Sequence, residues 1–151
     1  MIPSATSRLA HRGYTLLELV TVLALLGLVT AGLLPAARNQ LDRMAVVGAR
    51  EEVAGLFHRA RSEAIARGGV RLLLRAAPAS AELSAGDEVL ARAYLKDEYG
   101  VALTLSSGRP EAELTFDALG LGRVASQTLR FARGRTEVRL VVSSLGRVAR
   151  P

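Results

Sequence analysis

From Tyr14 to Ala37 the chain reads YTLLELVTVLALLGLVTAGLLPAA, 24 residues in which Glu18 is the only charge. A helix rises about 1.5 Å per residue, so this run reaches roughly 36 Å and crosses a ~30 Å hydrocarbon layer. Arg8 and Arg12 come just before it. Basic residues on that flank hold the N-terminal end in the cytoplasm and send the chain after Ala37 to the other side. A secretory signal also has a basic start and an apolar run, but it ends at a small-residue cleavage site. Here the run passes into a helical pattern without a convincing one. Glu18 is the informative residue. A charge in a membrane helix costs on the order of 2.5–3.5 kcal/mol at the centre and less near an end, so a carboxylate kept there calls for a partner. Pro35 removes one helical hydrogen bond and predicts a kink or a locally melted turn.

After the apolar run, Leu41, Ala45, Ala49, Val53, Leu56, Ala60 and Ala64 recur every three or four residues, one helical stripe. Arg38, Asp42, Glu51, Glu52, Arg59 and Glu63 fall mainly on other faces, and Gly68-Gly69 suits a left-handed cap. The expectation is one helix over about 14–67, bent near Pro35. Beyond Gly69 the period shortens. Strands are expected at Val70–Leu74, Val89–Leu95, Val101–Leu105, Glu113–Phe116, Thr128–Ala132 and Glu137–Val142. Gly134-Arg135 reads as a hairpin turn, and residues 76–88, AAPASAELSAGDE, read as a flexible loop. A long helix followed by antiparallel strands is an α+β order. The expected organisation is 1–13, a 14–37 membrane segment, a 38–67 amphipathic helix and a 68–151 β-rich head.

The 151 residues suit one ordinary domain with a packed core. With no cysteine, the chain offers no disulfide framework, thiolate chemistry or Cys-ligated metal centre. Aromatic residues make up only 4%, so base-stacking platforms lack their material. The net charge of +6 is uneven. Residues 14–120 carry 11 basic and 13 acidic side chains, whereas 121–151 hold seven arginines against Glu137 alone.

The stretch R-G-Y-T-L-L-E-L-V at 12–20 resembles the class III leader of type IV pilins and pseudopilins. The resemblance implies that a prepilin peptidase cuts between Gly13 and Tyr14, removing residues 1–13 and methylating the amino group of Tyr14. It implies that Glu18 pairs with the N-terminal amine of a neighbouring subunit, and it places Pro35 where pilin helices often carry proline. Tyr14 stands where the family usually has Phe. Pairing fits the physics, since a lone carboxylate and a lone ammonium in a lipid-like core each carry a large desolvation cost. A plain membrane anchor explains neither Glu18 nor its spacing from Gly13.

FHRARSEAIAR at 57–67, followed by a strand, and Leu129-Arg130-Phe131 with Gly134-Arg135 and Gly146-Arg147 are similar to the GspH/FimT group of minor pilins and pseudopilins. That likeness implies a pilin-like α+β fold and an inner-membrane start with the head in the periplasm, followed by entry into a pilus or a type II secretion pseudopilus. The implied partners are prepilin peptidase, other pilins or pseudopilins, an inner-membrane assembly platform and membrane lipid. Some members bind DNA through a C-terminal G-R-x-R element. Here the tail reads Gly146-Arg147-Val148-Ala149-Arg150, with the second arginine one place late. The alternative reading is therefore a DNA-binding minor pilin for natural transformation, using Arg130, Arg133, Arg135, Arg139, Arg147 and Arg150 to neutralise phosphates. Arginines on exposed strands also serve to discourage edge pairing.

No catalytic set is expected. His58 lies on the helix flank without a nucleophile, and Asp87-Glu88 and Asp97-Glu98, in loops or strand ends, lack a third ligand. No enzyme activity, metal or cofactor is expected.

Overall fold

The computed structural model describes residues 14–123 and 126–151. The chain divides into two compact units, one ending at Ala37 and the other spanning Arg38–Pro151. Helix α1 is assigned over Leu16–Arg67. It is followed by β1 (Gly69–Ala76), β2 (Ala79–Ala85), β3 (Glu88–Ala93) and a short α2 (Leu95–Tyr99). Then come β4 (Ala102–Leu105), β5 (Glu111–Asp117), β6 (Gly122–Arg123), β7 (Gln127–Arg133), β8 (Thr136–Val142) and β9 (Val148–Ala149). The strands form two antiparallel sheets, ordered β3-β2-β1-β5-β6 and β4-β7-β8-β9.

The head is built on the part of α1 that lies in the second unit. Val46, Ala49, Val53, Ala54, Leu56, Phe57, Ala60 and Ala64 are buried there. The expected stripe is thus shifted and widened. Leu41 is exposed, while Val46, Ala54 and Phe57 join the buried face, because a helix lying on a sheet covers two neighbouring rows of side chains rather than one. Phe57 meets Phe116 of β5 edge-on, with centroids 6.4 Å apart and planes at 72°. Leu72, Leu74, Leu83 and Leu114 of the first sheet and Leu103, Leu129, Phe131 and Leu140 of the second complete a single core with the helix. Full burial of each such side chain contributes about 1.5–3 kcal/mol before entropy is subtracted.

The strands alternate as a half-buried sheet requires. In β1, Val70, Leu72 and Leu74 point in, and Arg71 and Arg75 point out. The outer face is knitted by charge. Arg75 sits opposite Glu111 and bonds it at 3.2 Å, Arg92 sits opposite Glu82 at 2.8 Å, and Arg71 reaches Glu113 at 3.0 Å.

Three expectations are corrected. Residues 76–88 are not a loop, because Ala79–Ala85 forms β2, which lies between β1 and β3. Its inward residues are Ala79, Ala81 and Leu83. Alanine against serine gives little hydrophobic contrast, so the alternation is weak in the sequence although the strand pairs with β1 along six residues and with β3 through a bulge at Leu83/Ser84. Strand β3 ends at Ala93, and Leu95 opens α2, whose fully buried side chain anchors the turn. Asp97 and Glu98 accordingly lie on α2 rather than in a loop or strand end. The helix end follows expectation: Gly68 has φ 83° and donates its N–H to the Ala64 carbonyl at 2.9 Å.

Candidate functional site

Every described residue from Tyr14 to Gln40 is exposed, including Leu16 at 83% and Leu28 at 74%. The helix they form is long and apolar enough to cross a membrane. Water solvates such a surface poorly, so it needs lipid or other helices as its surroundings. Two of its threonine hydroxyls are satisfied locally. Thr21 donates its hydroxyl to the Leu17 carbonyl at 2.8 Å, and Thr30 to the Leu26 carbonyl at 2.9 Å.

The start of the helix explains how Glu18 is held. Thr15 Oγ1 accepts the Glu18 backbone N–H at 3.2 Å, and the Thr15 carbonyl accepts from Leu19 at 3.1 Å. Thr15-Leu16-Leu17-Glu18 therefore has the spacing of a capping box, with threonine at the cap and glutamate three residues on. The carboxylate stands in the first turn, where unpaired N–H groups and the helix dipole favour negative charge. Sequence reasoning found Glu18 but missed Thr15, whose signal was the T-x-x-E spacing itself. Gly13 lies outside the described residues, and Tyr14 is the first described residue. Helix α1 is assigned through Pro35, whose missing N–H leaves the Ala31 carbonyl without its usual helical donor.

The six arginines do not form one patch. Arg130 and Arg139 face each other across β7 and β8 on the outer side, with Glu137 shared at 3.8 and 3.1 Å. Arg133 turns back to α1, pairing with Asp42 at 3.0 Å and donating to the Tyr99 carbonyl. Arg135 sits in the hairpin turn, exposed, beside Gly134 with φ 57°. Arg150 pairs with Glu51 of α1 at 3.0 Å. Arg147 lies elsewhere again, in a groove with His58 and Arg61. The structure thus joins Arg130 to Arg139, and it commits Arg133 and Arg150 to helix carboxylates.

A second region went unnoticed in the sequence. Glu52 of α1 is partly buried near Tyr99 and Glu98, and its Oε2 is buried without a hydrogen bond. Burial first, with Glu98 adding to it, pushes its carboxyl above the usual range, while the Tyr99 hydroxyl pulls the other way. Among the described residues no three His, Asp or Glu side chains are grouped as metal ligands. His58 is exposed on α1.

The family model of the type II transport protein GspH matches residues 49–146. The chain belongs to this GspH family. The prokaryotic N-terminal methylation motif matches residues 8–34, which contain Gly13, Tyr14, Glu18 and all but the last three residues of the apolar run 14–37. The fold is similar to the crystal structure of the type IV minor pilin FimU of Pseudomonas aeruginosa strain PAO1. The TM-score is 0.58 at 20% identity, covering 73% of this chain and 90% of that one. No curated protein matches the chain. The GspH match begins on the buried face of α1 and ends at Gly146, so it takes in both sheets up to the tail. A GspH-family chain with the methylation motif and a pilin-like α+β fold is a minor pilin or pseudopilin type of subunit.

Proposed function

We propose that this chain is a minor pilin or pseudopilin that prepilin peptidase cleaves between Gly13 and Tyr14 and methylates on Tyr14. It waits in the inner membrane with its N-terminus cytoplasmic and its head periplasmic, then enters a type IV pilus or type II secretion pseudopilus. The observation that carries this reading is the uncovered apolar helix with a single acid, Glu18, held in its first turn by Thr15. Lipid covers the helix first, and neighbouring subunit helices replace the lipid during assembly on the inner-membrane platform. The new amine at Tyr14 of one subunit and Glu18 of its neighbour relieve each other's desolvation, which sets the register between helices. Pro35 loosens the helix locally so that its two halves adjust to packing.

Intact mass from cells with and without prepilin peptidase tests this. Loss of residues 1–13 plus one methyl, only with the peptidase, is the expected result. A chain starting at Met1 in both strains overturns it. Glu18→Gln is expected to be cleaved normally but to enter filaments poorly, because a neutral amide leaves the neighbour's ammonium unpaired.

The alternative, DNA binding during transformation, draws support from one feature. Arg130 and Arg139 stand directly opposite each other with one shared acid, an arrangement that is unfavourable alone and relieved by a bound phosphate. Arg135 and Arg147 add exposed charge, whereas Arg133 and Arg150 contribute less because helix carboxylates already hold them. Replacing Arg130 and Arg139 by alanine is expected to flatten the salt dependence of DNA binding by about one unit of slope for each phosphate no longer neutralised. An unchanged slope removes this reading.

A further inference from the structure

One junction of the head brings together three segments distant in sequence: the α1 turn 57–65, the turn 117–122 and the tail 145–148. Gly120 lies against α1, where an added Cβ would stand 2.9 Å from Arg61 Cγ and 3.1 Å from Ile65 Cδ1. Arg61 Nε donates to the Gly120 carbonyl at 3.0 Å. Gly122 and Gly146 then meet backbone to backbone over the Phe116 ring, and Gly122 N–H points to the Leu145 carbonyl at 3.4 Å. The turn is firmly built, because Asp117 Oδ1 accepts from both Leu119 at 3.0 Å and Leu121 at 2.9 Å.

This construction leaves apolar side chains outside. Leu119 is 76% exposed, Ile65 59%, Leu145 52% and Leu121 42%. Single exposed apolar residues are ordinary, but four around one junction mark a contact surface. Beside them runs a groove of about 220 Å³ between α1 and the tail, floored by Phe57 and lined by His58, Arg61 and Arg147. No acid lines it, and neither Arg61 nor Arg147 is ion-paired among the described residues. Arg150, three residues on, does have an acid, Glu51.

Resting on the assembly reading above, we propose that this junction is the docking surface for the head of a different pilin-like subunit. The partner's Asp or Glu side chain enters the Arg61–Arg147 groove while its adjacent apolar side chain covers Leu119 and Ile65. Charge complementarity selects the carboxylate, since the groove offers N–H donors from three side chains and no acceptor charge. Its size suits one oxyanion-bearing side chain rather than a strand of nucleic acid. Nucleic-acid surfaces are polar and strongly cationic throughout, whereas protein interfaces centre on apolar contacts rimmed by charge. The apolar cluster therefore points to protein.

A photo-crosslinking amino acid replacing Leu119 in the full chain, in its own cells, tests the surface. The expected adduct joins another pilin-like subunit within about three residues of an Asp or Glu, inside the ~11 Å that three extended residues span. Arg147→Glu is expected to lower its yield about tenfold, and changing the partner's acid to Arg restores it. Restoration shows that the variant still folds. Adducts to DNA, to a second copy of this chain, or to a segment without an acid overturn the proposal. So does a yield unmoved by Arg147→Glu, or no adduct at all. Intact mass in the same cells separates the two failures. A correctly cleaved chain without the adduct sinks only this docking surface, whereas an uncleaved chain sinks the assembly reading and this one with it.

Discussion

Replacing Gly146 by alanine tests whether the tail is locked to the core or merely lies on it. Gly146 has φ 72°, and an L-residue held in that region costs about 1–2 kcal/mol. The new methyl would also stand 2.8 Å from Phe116 Cε1 and 3.3 Å from Gly122 Cα. Phe116 is 2% exposed and already abuts Phe57, so its ring has nowhere to retreat. Forcing a methyl into such a core costs about 1–3 kcal/mol, for a total of about 2–5 kcal/mol. That is a large share of the 5–15 kcal/mol typical of a domain, on the order of a third. Gly86→Ala is the matched control: φ is 58°, and its Cβ meets nothing within 4 Å. It carries the backbone cost alone, and the gain from a stiffer unfolded chain cancels between the two variants. Urea titration of the full chain in detergent, read by pulse proteolysis of the head, compares the two. The expected gap in stability is about 1–3 kcal/mol at unchanged slope. Equal midpoints for the two variants refute the claim that the Gly122–Gly146 contact over Phe116 is tightly packed.

Phe57→Ala removes the helix side of the Phe57–Phe116 contact and is expected to destabilise the head by about 3–5 kcal/mol in the same titration. Arg133→Ala loses a half-exposed ion pair with Asp42, so a double-mutant cycle with Asp42→Ala is expected to give a coupling of no more than about 1 kcal/mol. Glu52 gives a pH signature. Its folded pKa is raised by burial, so the native head binds that proton more tightly than the unfolded chain does. The resulting stabilisation is full below the ordinary value of 4.5 and fades as pH rises through the folded value. Glu52→Gln is expected to flatten this dependence and to be the more stable form at neutral pH; an unchanged pH profile excludes Glu52 as the source.

What the sequence determined by itself was whatever rests on local physics. An apolar run of 24 residues with one acid has few fates, and Glu18 stands out because an isolated charge there is costly. Helix periodicity ended at Gly68, and strong alternation at Val138, Leu140 and Val142 marked β8, because large side chains give a clear contrast between faces. Strand β2 escaped notice for the converse reason: Ala79 and Ala81 are buried by what packs around them, not by their own hydrophobicity. The arginines show the same division. Their clustering in the last thirty residues is a property of the chain, yet strand register set Arg130 against Arg139, and packing of the head on α1 sent Arg133 and Arg150 back to Asp42 and Glu51. The junction of Arg61, Gly120 and Gly146 spans more than eighty residues of sequence. No periodicity links residues so far apart, and only the closing of two sheets on α1 brings them into contact.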